Sequence, residues 1–214
     1  MRHPSNHIFD FNPESLAAWC EQRGMPAFRA KQILEWVYEK GVCAPEQMTS
    51  LSKRDRELLV AEMTFLSGDT LRHQLATDGT QKLLVQWRDF APGVVQATAH
   101  PAPTAALPIL GQPRIDEDSK RQTECVMIPT ETRKTACISS QVGCPVGCRF
   151  CASGLGGLDG NLTSGRIVEQ VWRLSRLKDV GRISNVVFMG MGEPLSNFKN
   201  VTGAIRTISA LWAL

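Results

Sequence analysis

Apolar residues recur at helical spacing in the first third of the chain, and signals for helix starts stand beside them. Asn12 precedes Pro13 and Glu14, and this combination of a capping side chain, a first-turn proline and an acid is typical of helix starts. Ser52 stands three residues before Asp55, in an arrangement that resembles a capping box. The pattern predicts three short helices, at about residues 13–23, 29–40 and 53–63.

A β-hairpin is predicted next, because two β-rich runs flank the turn pair Asp78-Gly79. The periodicity then disappears from about residue 89 to residue 122, where five of the twelve prolines stand among alanines and threonines. We interpret this stretch as a flexible insertion loop and not as a domain. The hairpin and the insertion form a predicted middle segment, residues 69–122, after a helical segment of residues 1–68.

The remainder of the chain alternates between strand and helix patterns. One run alternates apolar and polar residues, and another is continuously apolar, which is typical of a parallel strand buried on both faces. This alternation predicts an α/β fold with an α+β accessory part, and a core domain over residues 123–214. The predicted strands are 123–129, 134–141 and the apolar run 183–189. The predicted helices are 165–177, with Ser164 as its cap, and 200–214.

Composition narrows the class of protein without selecting a function. The 214 residues carry a net charge of +3, which is weakly basic and fits an ordinary solvated surface. No apolar run approaches the roughly 18 residues that a membrane span needs, and the N-terminus lacks the apolar segment of a signal peptide. An odd number of cysteines, seven, fits a reducing cytoplasm better than a secreted disulfide scaffold.

Cys144, Cys148 and Cys151 form a C-x3-C-x2-C triplet on one short, turn-rich stretch. Three thiolates would bind three irons of a [4Fe–4S] cluster and leave the fourth iron open to a substrate. A structural zinc site is the alternative, but it needs four ligands, no second C-x-x-C pair exists, and the nearest upstream histidine is His100. Three unligated core cysteines are a further alternative, although core packing does not explain this spacing.

The triplet, with Phe150 before its last cysteine, resembles the radical S-adenosylmethionine (SAM) superfamily. Two longer stretches, from Cys137 to Cys144 and from Asn185 to Asn197, are similar to the RlmN/Cfr family of RNA methyltransferases within it. The resemblance implies that the free iron of the cluster chelates SAM and cleaves it reductively to a 5′-deoxyadenosyl radical. It also implies a partial radical SAM (β/α)6 barrel behind a helical accessory domain that binds RNA. The basic residues of the predicted helices fit either RNA contact or a solvated surface.

The resemblance assigns roles to four further residues of this sequence. Glu124 is the expected general base, although a lone strand carboxylate is more often a surface group. Cys137 is the expected thiol that forms a disulfide with a methyl-carrying cysteine, although a buried strand thiol would look the same. Gly192 and Glu193 are expected to bind the amino end of SAM, where an ordinary Gly-Pro turn is the alternative.

The implied reaction is methylation of adenine C2 in 23S rRNA and tRNA, supported by an external, flavodoxin-like electron donor in the cytoplasm. An unstacked adenine in folded single-stranded RNA is the natural substrate class. Two alternatives stay open from these residues. One is a Cfr-like enzyme that methylates adenine C8, and the other is a catalytically dead remnant that binds RNA or a cluster.

Two features of the chain depart from the family pattern. Only two βα units fit, where the resemblance implies about six, and the family's C-terminal methyl-carrier cysteine is not recognised. We therefore expect a truncated chain, a fragment, or half of a split protein with its C-terminal part on a separate chain. Arg166 also replaces an acid that is common in the family, and we expect it on the solvated face of the predicted helix with Arg173 and Arg176.

Overall fold

The predicted helices and strands occur in the predicted order, and a further pair of short strands, at 141–143 and 158–161, was not predicted. The structure, a computed structural model, describes residues 1–90 and 121–210. Most of the predicted insertion therefore lies outside the described residues. None of the helices in these two ranges is long and apolar enough to cross a membrane. The α-helices there are α1 (Pro13–Glu21), α2 (Arg29–Leu34), α3 (Lys53–Glu62), α4 (Ser164–Ser175) and α5 (Phe198–Ile208), and the strands are β1 (Gly68–Leu75), β2 (Gln81–Trp87), β3 (Gln122–Pro129), β4 (Lys134–Cys137), β5 (Gln141–Gly143), β6 (Leu158–Asn161) and β7 (Asn185–Val187).

The predicted helix caps are confirmed in the N-terminal part. The Asn12 side chain accepts a hydrogen bond from the Ser15 backbone N–H at 2.7 Å, and the Ser52 side chain accepts one from the Asp55 N–H at 3.1 Å. Each bond satisfies one of the backbone donors that a helix start leaves unpaired. Helix α2 differs from the expectation, because a π-helical turn over Glu35–Glu39 replaces its last α-helical turns.

Five strands form one sheet in the order β1-β2-β3-β4-β7, and β5 pairs with β6 in a separate two-stranded sheet. The larger sheet is antiparallel except for β4 and β7, which run parallel. Its register aligns Lys82, Val126, Cys137 and Val187 in one row across four strands. Partners in a row project to the same face of a sheet, so this row defines one face. The opposite face is buried against helices.

Two predicted strands are shorter than expected. Strand β4 ends at Cys137 and not at residue 141, and the apolar run 183–189 contributes only the three residues of β7. All three residues of β7 are half-buried, so the expectation of burial on both faces is wrong. The reason is position, because β7 is the last strand of the sheet and no strand of the described residues pairs with its outer edge.

Helix α4 lies between the sheet and the N-terminal helices. Ten of its twelve residues are buried, whereas a surface helix buries one face only. The Trp172 indole N–H donates to the Val37 carbonyl oxygen at 2.8 Å, and the Phe9 ring lies 5.9 Å from the Trp172 ring. The expected solvated face of this helix is therefore wrong, since the N-terminal segment covers it.

Arg166 on α4 is fully buried, which corrects its expected place on the surface. Its guanidinium donates to the carbonyl oxygens of Arg2 (3.4 Å) and Arg88 (2.5 Å) and lies 5.4 Å from the ring centre of Trp87. Burial lowers the pKa of Arg166 to about 10, so the side chain remains charged at neutral pH. The sequence pattern alone predicts that a charged arginine on a helix is exposed to water. Arg166 is buried because the N-terminal segment packs over α4.

Glu169, one turn further along α4, holds the N-terminal segment to the sheet with a fully buried carboxylate. Its Oε2 accepts from the Ser67 backbone N–H and hydroxyl, both at 2.8 Å, and lies 3.1 Å from His7 Nε2. Its Oε1 accepts from the Gly68 N–H (3.2 Å) and from Arg173 Nη2 (2.7 Å). Burial alone would raise the pKa of Glu169, but Arg173, His7 and the Ser67 N–H outweigh burial and hold it well below its usual range.

We predict that Glu169→Gln lowers the free energy of unfolding by about 3 kcal/mol, because it removes a buried charge and leaves Arg173 without its counter-ion. Chemical denaturation measures this change. Glu57→Gln is the matched control, since Glu57 pairs with Lys53 on the exposed surface and its loss should cost less than about 0.5 kcal/mol. Equal effects of the two substitutions would contradict the role of Glu169.

Candidate active site

Strands β4 and β7 end side by side, and hydrogen bonds join the segments that follow them. The Ile138 N–H donates to the Val187 carbonyl oxygen at 3.0 Å, and the Gly190 N–H donates to the Ile138 carbonyl oxygen at 3.1 Å. The Ser140 N–H donates to the Met191 carbonyl oxygen at 2.9 Å. Parallel strands present their carboxyl ends at one edge, where ligand sites of α/β proteins commonly lie. The segments 138–141 and 188–193 therefore form the base of the candidate site.

Two glycines make the close approach of these segments possible. A Cβ atom on Gly190 would lie 2.6 Å from Ser139 Oγ, and one on Gly192 would lie 2.5 Å from the Cβ of Gln141. Gly192 also has a φ of +95°, which side-chain-bearing residues rarely adopt. We expected glycine here to let a ligand approach the backbone, and the structure shows that the neighbouring protein segment requires it as well.

Ser139 connects the two strand ends to the sheet, a role that the sequence did not suggest. Its hydroxyl donates to the Glu124 carbonyl oxygen (2.7 Å) and accepts from the Met191 N–H (2.8 Å). Its backbone exchanges two hydrogen bonds of 2.9 Å with the buried side chain of Gln170. The one available signal was that Ser139 lies inside the stretch from Cys137 to Cys144 that carried the family resemblance.

The three cysteines of the triplet lie on the loop between β5 and β6. The Cys144 N–H donates to the Gly157 carbonyl oxygen at 3.0 Å, which closes the loop, and the Cys151 N–H donates to the Cys148 carbonyl oxygen at 3.1 Å. All three side chains are free thiols and half-buried. Because β5 continues directly from the segment 138–141, the loop lies next to the strand ends.

The triplet fits an iron–sulfur cluster by its donor set, with three free, partly accessible thiols on one short loop. Nearby, the Ser140 hydroxyl is 1% exposed and makes no hydrogen bond, so a polar atom at the strand ends is left for a further partner. Among the described residues, no group of three or more His, Cys, Asp or Glu side chains is arranged as a metal site. The cysteines as cluster ligands therefore stay a prediction.

Apolar side chains are exposed around the loop and the strand ends. Phe150 is 93% exposed and Met189 is 79% exposed, values that are unusual for large apolar residues. Such a surface is suited to being covered by a ligand or by further polypeptide. The other exposed apolar residues on or beside these segments are Val146, Leu155, Leu158, Leu195 and Phe198.

Glu124 lies on β3, on a strand as predicted, and its side chain is on the face of the sheet that the helices do not cover. Its Oε1 accepts from Lys82 Nζ at 2.9 Å, and both side chains are partly exposed. Val126, two residues further along β3, pairs with Cys137 on β4. The register thus places Glu124 and Cys137 on one face of neighbouring strands, where diagonal neighbours lie about 7–8 Å apart. The sheet therefore brings Glu124 and Cys137 together, and Lys82 is the hydrogen-bond partner of Glu124.

Cys137 is half-buried at the end of β4. Burial raises the pKa of its thiol, and a hydrogen bond from the Met189 backbone N–H opposes part of that increase. The thiol is therefore protonated at neutral pH, and a base or a change of environment is needed before it reacts as a thiolate.

Glu193 caps the 3-10 helix Pro194–Asn197 that follows the glycines. Its Oε1 accepts from the Leu195 N–H at 2.9 Å, and its own N–H donates to Gln141 Oε1 at 2.8 Å. The carboxylate is half-exposed beside the strand ends. Its local role is helix capping, and its predicted contact with SAM remains a prediction.

Comparison with known proteins relates the chain to RNA methyltransferases. Residues 6–65 match the family model of the ribosomal RNA large subunit methyltransferase N-terminal domain. The chain is 36% identical to the dual-specificity RNA methyltransferase RlmN of Dichelobacter nodosus, covering 96% of this chain and 50% of that protein. It is 39% identical to the probable dual-specificity RNA methyltransferase RlmN of Chloroherpeton thalassium, covering 98% of this chain and 51% of that one.

A solved structure shares the fold. A radical SAM methyltransferase from Sphaerobacter thermophilus superimposes with a TM-score of 0.77 at 30% identity, covering 97% of this chain and 53% of the other. The predicted α/β fold class is thereby confirmed. The chain spans about half the length of the curated relatives it matches.

We predict that Cys137 reacts with iodoacetamide at a higher pH in the folded protein than in the unfolded chain. The pKa of this thiol is raised by burial, so its reactive thiolate forms only at a pH above that of an ordinary thiol. Peptide mass spectrometry of the Cys137 peptide across a pH series measures the midpoint. The control is the same peptide from protein held in denaturant. If the pH midpoint of the reaction in the folded protein equals or lies below that in denaturant, the raised pKa of the Cys137 thiol is contradicted.

Proposed function

Because this chain belongs to the RlmN family of radical SAM RNA methyltransferases, we propose that it provides the cluster- and SAM-binding part of an enzyme that methylates adenine C2 in 23S rRNA and tRNA. One observation carries this proposal. The ends of β4 and β7 place Cys137, the segment 190–193 and the start of the cysteine loop at one end of the sheet, and Glu124 lies beside Cys137 on the neighbouring strand β3. The proposed activity needs these groups at one site.

Cys144, Cys148 and Cys151 would bind three irons of a [4Fe–4S] cluster through their thiolates. When bound, the cluster and SAM supply one-electron radical chemistry that protein side chains cannot provide. Gly192 and Glu193 would hold the amino end of SAM, since Glu193 brings a half-exposed carboxylate beside the strand ends. The exposed Phe150 and Met189 would then be covered, which would exclude water from the site.

Adenine C2 lies between two ring nitrogens and is electron-poor, so it does not attack a methylsulfonium as a nucleophile. Carbon–carbon bond formation at this position requires that the C2 proton be removed by a base. We assign that role to Glu124, whose carboxylate faces the open side of the sheet. The ion pair with Lys82 holds this carboxylate in one orientation before substrate binds.

Cys137 would release the product from a methyl-carrier cysteine. Its thiolate attacks the carrier sulfur, so a disulfide forms as the bond from that sulfur to the new carbon substituent breaks. The electron pair of the broken bond stays on carbon, which takes up a proton to become the methyl group. In the family the carrier thiol belongs to the C-terminal part, so we propose that it lies outside these 214 residues.

The same proposal specifies the RNA substrate, the electron donor and the cellular compartment. Lys31 and Lys53, on the helices of the N-terminal part, are 85% and 83% exposed and are available for contact with RNA phosphates. An adenine must leave its stack to reach the strand ends, so folded single-stranded regions of RNA are the substrate class. The reduced cluster requires an external electron donor of the flavodoxin type, and we place the reaction in the cytoplasm.

We predict that anaerobic incubation with iron and sulfide gives a brown protein that releases 5′-deoxyadenosine from SAM in the presence of a reductant. The triple variant Cys144→Ala, Cys148→Ala, Cys151→Ala should lose colour, bound iron and 5′-deoxyadenosine together, because these thiols are the proposed iron ligands. Cys20→Ala, which removes a buried thiol of α1, is the matched control and should retain all three. A colourless parent protein with bound zinc would overturn the proposal.

We predict that Glu124→Gln abolishes formation of 2-methyladenosine in 23S rRNA fragments and tRNA, since the amide cannot accept the C2 proton. The assay combines the loaded chain with the polypeptide that corresponds to the remaining half of a curated relative, and nucleoside mass spectrometry identifies the product. Glu131→Gln, on an exposed turn after β3, is the control and should leave the yield unchanged. Formation of 8-methyladenosine would instead support the Cfr-like alternative, and no methylation would support a non-catalytic role.

A further inference from the structure

Two buried carboxamide side chains, Gln141 and Asn197, join the strand that leads into the cysteine loop to the segment that follows β7. The Gln141 side chain is fully buried. Its Oε1 accepts the Glu193 backbone N–H at 2.8 Å, and its Nε2 donates to Asn161 Oδ1 at 2.7 Å. Asn161 is the last residue of β6, so this one side chain contacts the glycine-containing segment and the far side of the cysteine loop.

Asn197 makes the complementary contact from the other side. It is 4% exposed, and its Nδ2 donates to the carbonyl oxygens of Ser140 and Leu162, both at 2.8 Å. Its Oδ1 accepts from Asn200 Nδ2 at 2.7 Å. Ser140 precedes β5 and Leu162 follows β6, so both strands that flank the cysteine loop are fixed to the residue that ends the 3-10 helix after Glu193.

The backbone partners determine how both amides are oriented. The Glu193 N–H can only donate, and the Ser140 and Leu162 carbonyl oxygens can only accept. Gln141 must therefore present its oxygen, and Asn197 its NH2 group, to these partners. A buried hydrogen-bonding group that loses its partner is destabilised by the full cost of its desolvation. The two side chains thus hold the cysteine loop and the segment 190–193 in one relative position.

We propose that Gln141 and Asn197, called here the amide pair, are positioning residues that set the place of the SAM-binding segment relative to the cluster. This inference rests on the proposed function. The cysteine loop and the segment 190–193 come from different strands. The hydrogen bonds that Ile138, Ser139 and Ser140 make with this segment reach as far as Met191, and the amide pair extends the connection to Glu193 and to both strands beside the cysteine loop. Without the amide pair the segments remain joined as far as Met191, but Glu193 and the cysteine loop lose the contacts that fix their relative position. SAM then binds more weakly while the cluster itself is retained.

The test measures the SAM concentration that is needed to change the electron paramagnetic resonance spectrum of the reduced cluster in the full chain. Gln141→Met keeps the length of the side chain and removes both hydrogen bonds. Asn197→Asp keeps the shape but places a carboxylate oxygen against two carbonyl oxygens. Gln122→Met and Asn185→Asp are matched controls, because they make the same chemical changes on β3 and β7 without contact to the segment 190–193.

Each amide-pair variant is expected to bind as much iron as the parent protein. It should require about tenfold more SAM for half of the spectral change, because this is the effect of losing a well-made buried hydrogen bond. The controls should stay within about twofold of the parent. If the parent responds to SAM and the variants respond at the same concentration, or if the controls weaken equally, the amide pair is not a positioning element. If the parent cluster never responds to SAM, the proposed function itself is overturned, and the role of the amide pair with it.

Hydrogen exchange of the unmodified chain gives a second readout that does not depend on how the variants fold. The amide pair predicts that the Glu193 N–H group, which donates to the Gln141 side chain, exchanges slowly before any cofactor binds. The Lys199 N–H, on the exposed first turn of α5, is expected to exchange fast. Exchange of the Glu193 N–H as fast as that of the Lys199 N–H would show that Gln141 does not hold the segment in place and would overturn the inference.

Discussion

The candidate site depends on the parallel pairing of β4 with β7. This is the one parallel pair of the described sheet, and it brings together two chain segments that are about fifty residues apart in sequence. Beyond the paired residues, backbone hydrogen bonds continue from Ile138 to Met191, so the strand ends act as one base for the residues around them. Cys137 ends one strand, the glycine-containing segment follows the other, and the cysteine loop extends from the first.

The N-terminal helices are attached to this base through α4, and the attachment is ionic as well as apolar. Burying the carboxylate of Glu169 is costly, and the structure compensates with six donors from three parts of the chain. Arg166 also connects α4 to other parts of the chain. Its guanidinium donates to the Arg2 carbonyl oxygen in the N-terminal segment and to the Arg88 carbonyl oxygen directly after β2. The proposed RNA-contacting helices are thus held rigidly against the sheet that carries the proposed chemistry.

Local signals in the sequence predicted two of the three helix caps, and the third was wrong by one residue, because Thr163 and not Ser164 caps α4. Asn12 and Ser52 cap helices because their side chains reach donors three residues away, a contact that neighbouring residues determine. The boundaries of β4 and β7 were less predictable, because pairing partners and not composition decide where a strand ends. Arg166 was misplaced for a related reason, since a charged residue on a helix is expected in water until another part of the chain is known to cover it.

The sequence by itself determined the family, the cysteine triplet and the identities of Glu124, Cys137, Gly192 and Glu193 as candidates, because these depend on residue type and spacing. Only the tertiary structure decided that Lys82 pairs with Glu124, that Ser139 joins both strand ends, and that the side chains of Gln141 and Asn197 bond to Glu193 and Ser140. These contacts join residues between 15 and 57 positions apart. A polar side chain in a sequence carries no information on which distant backbone group it will meet, and only strand register and helix packing supply it.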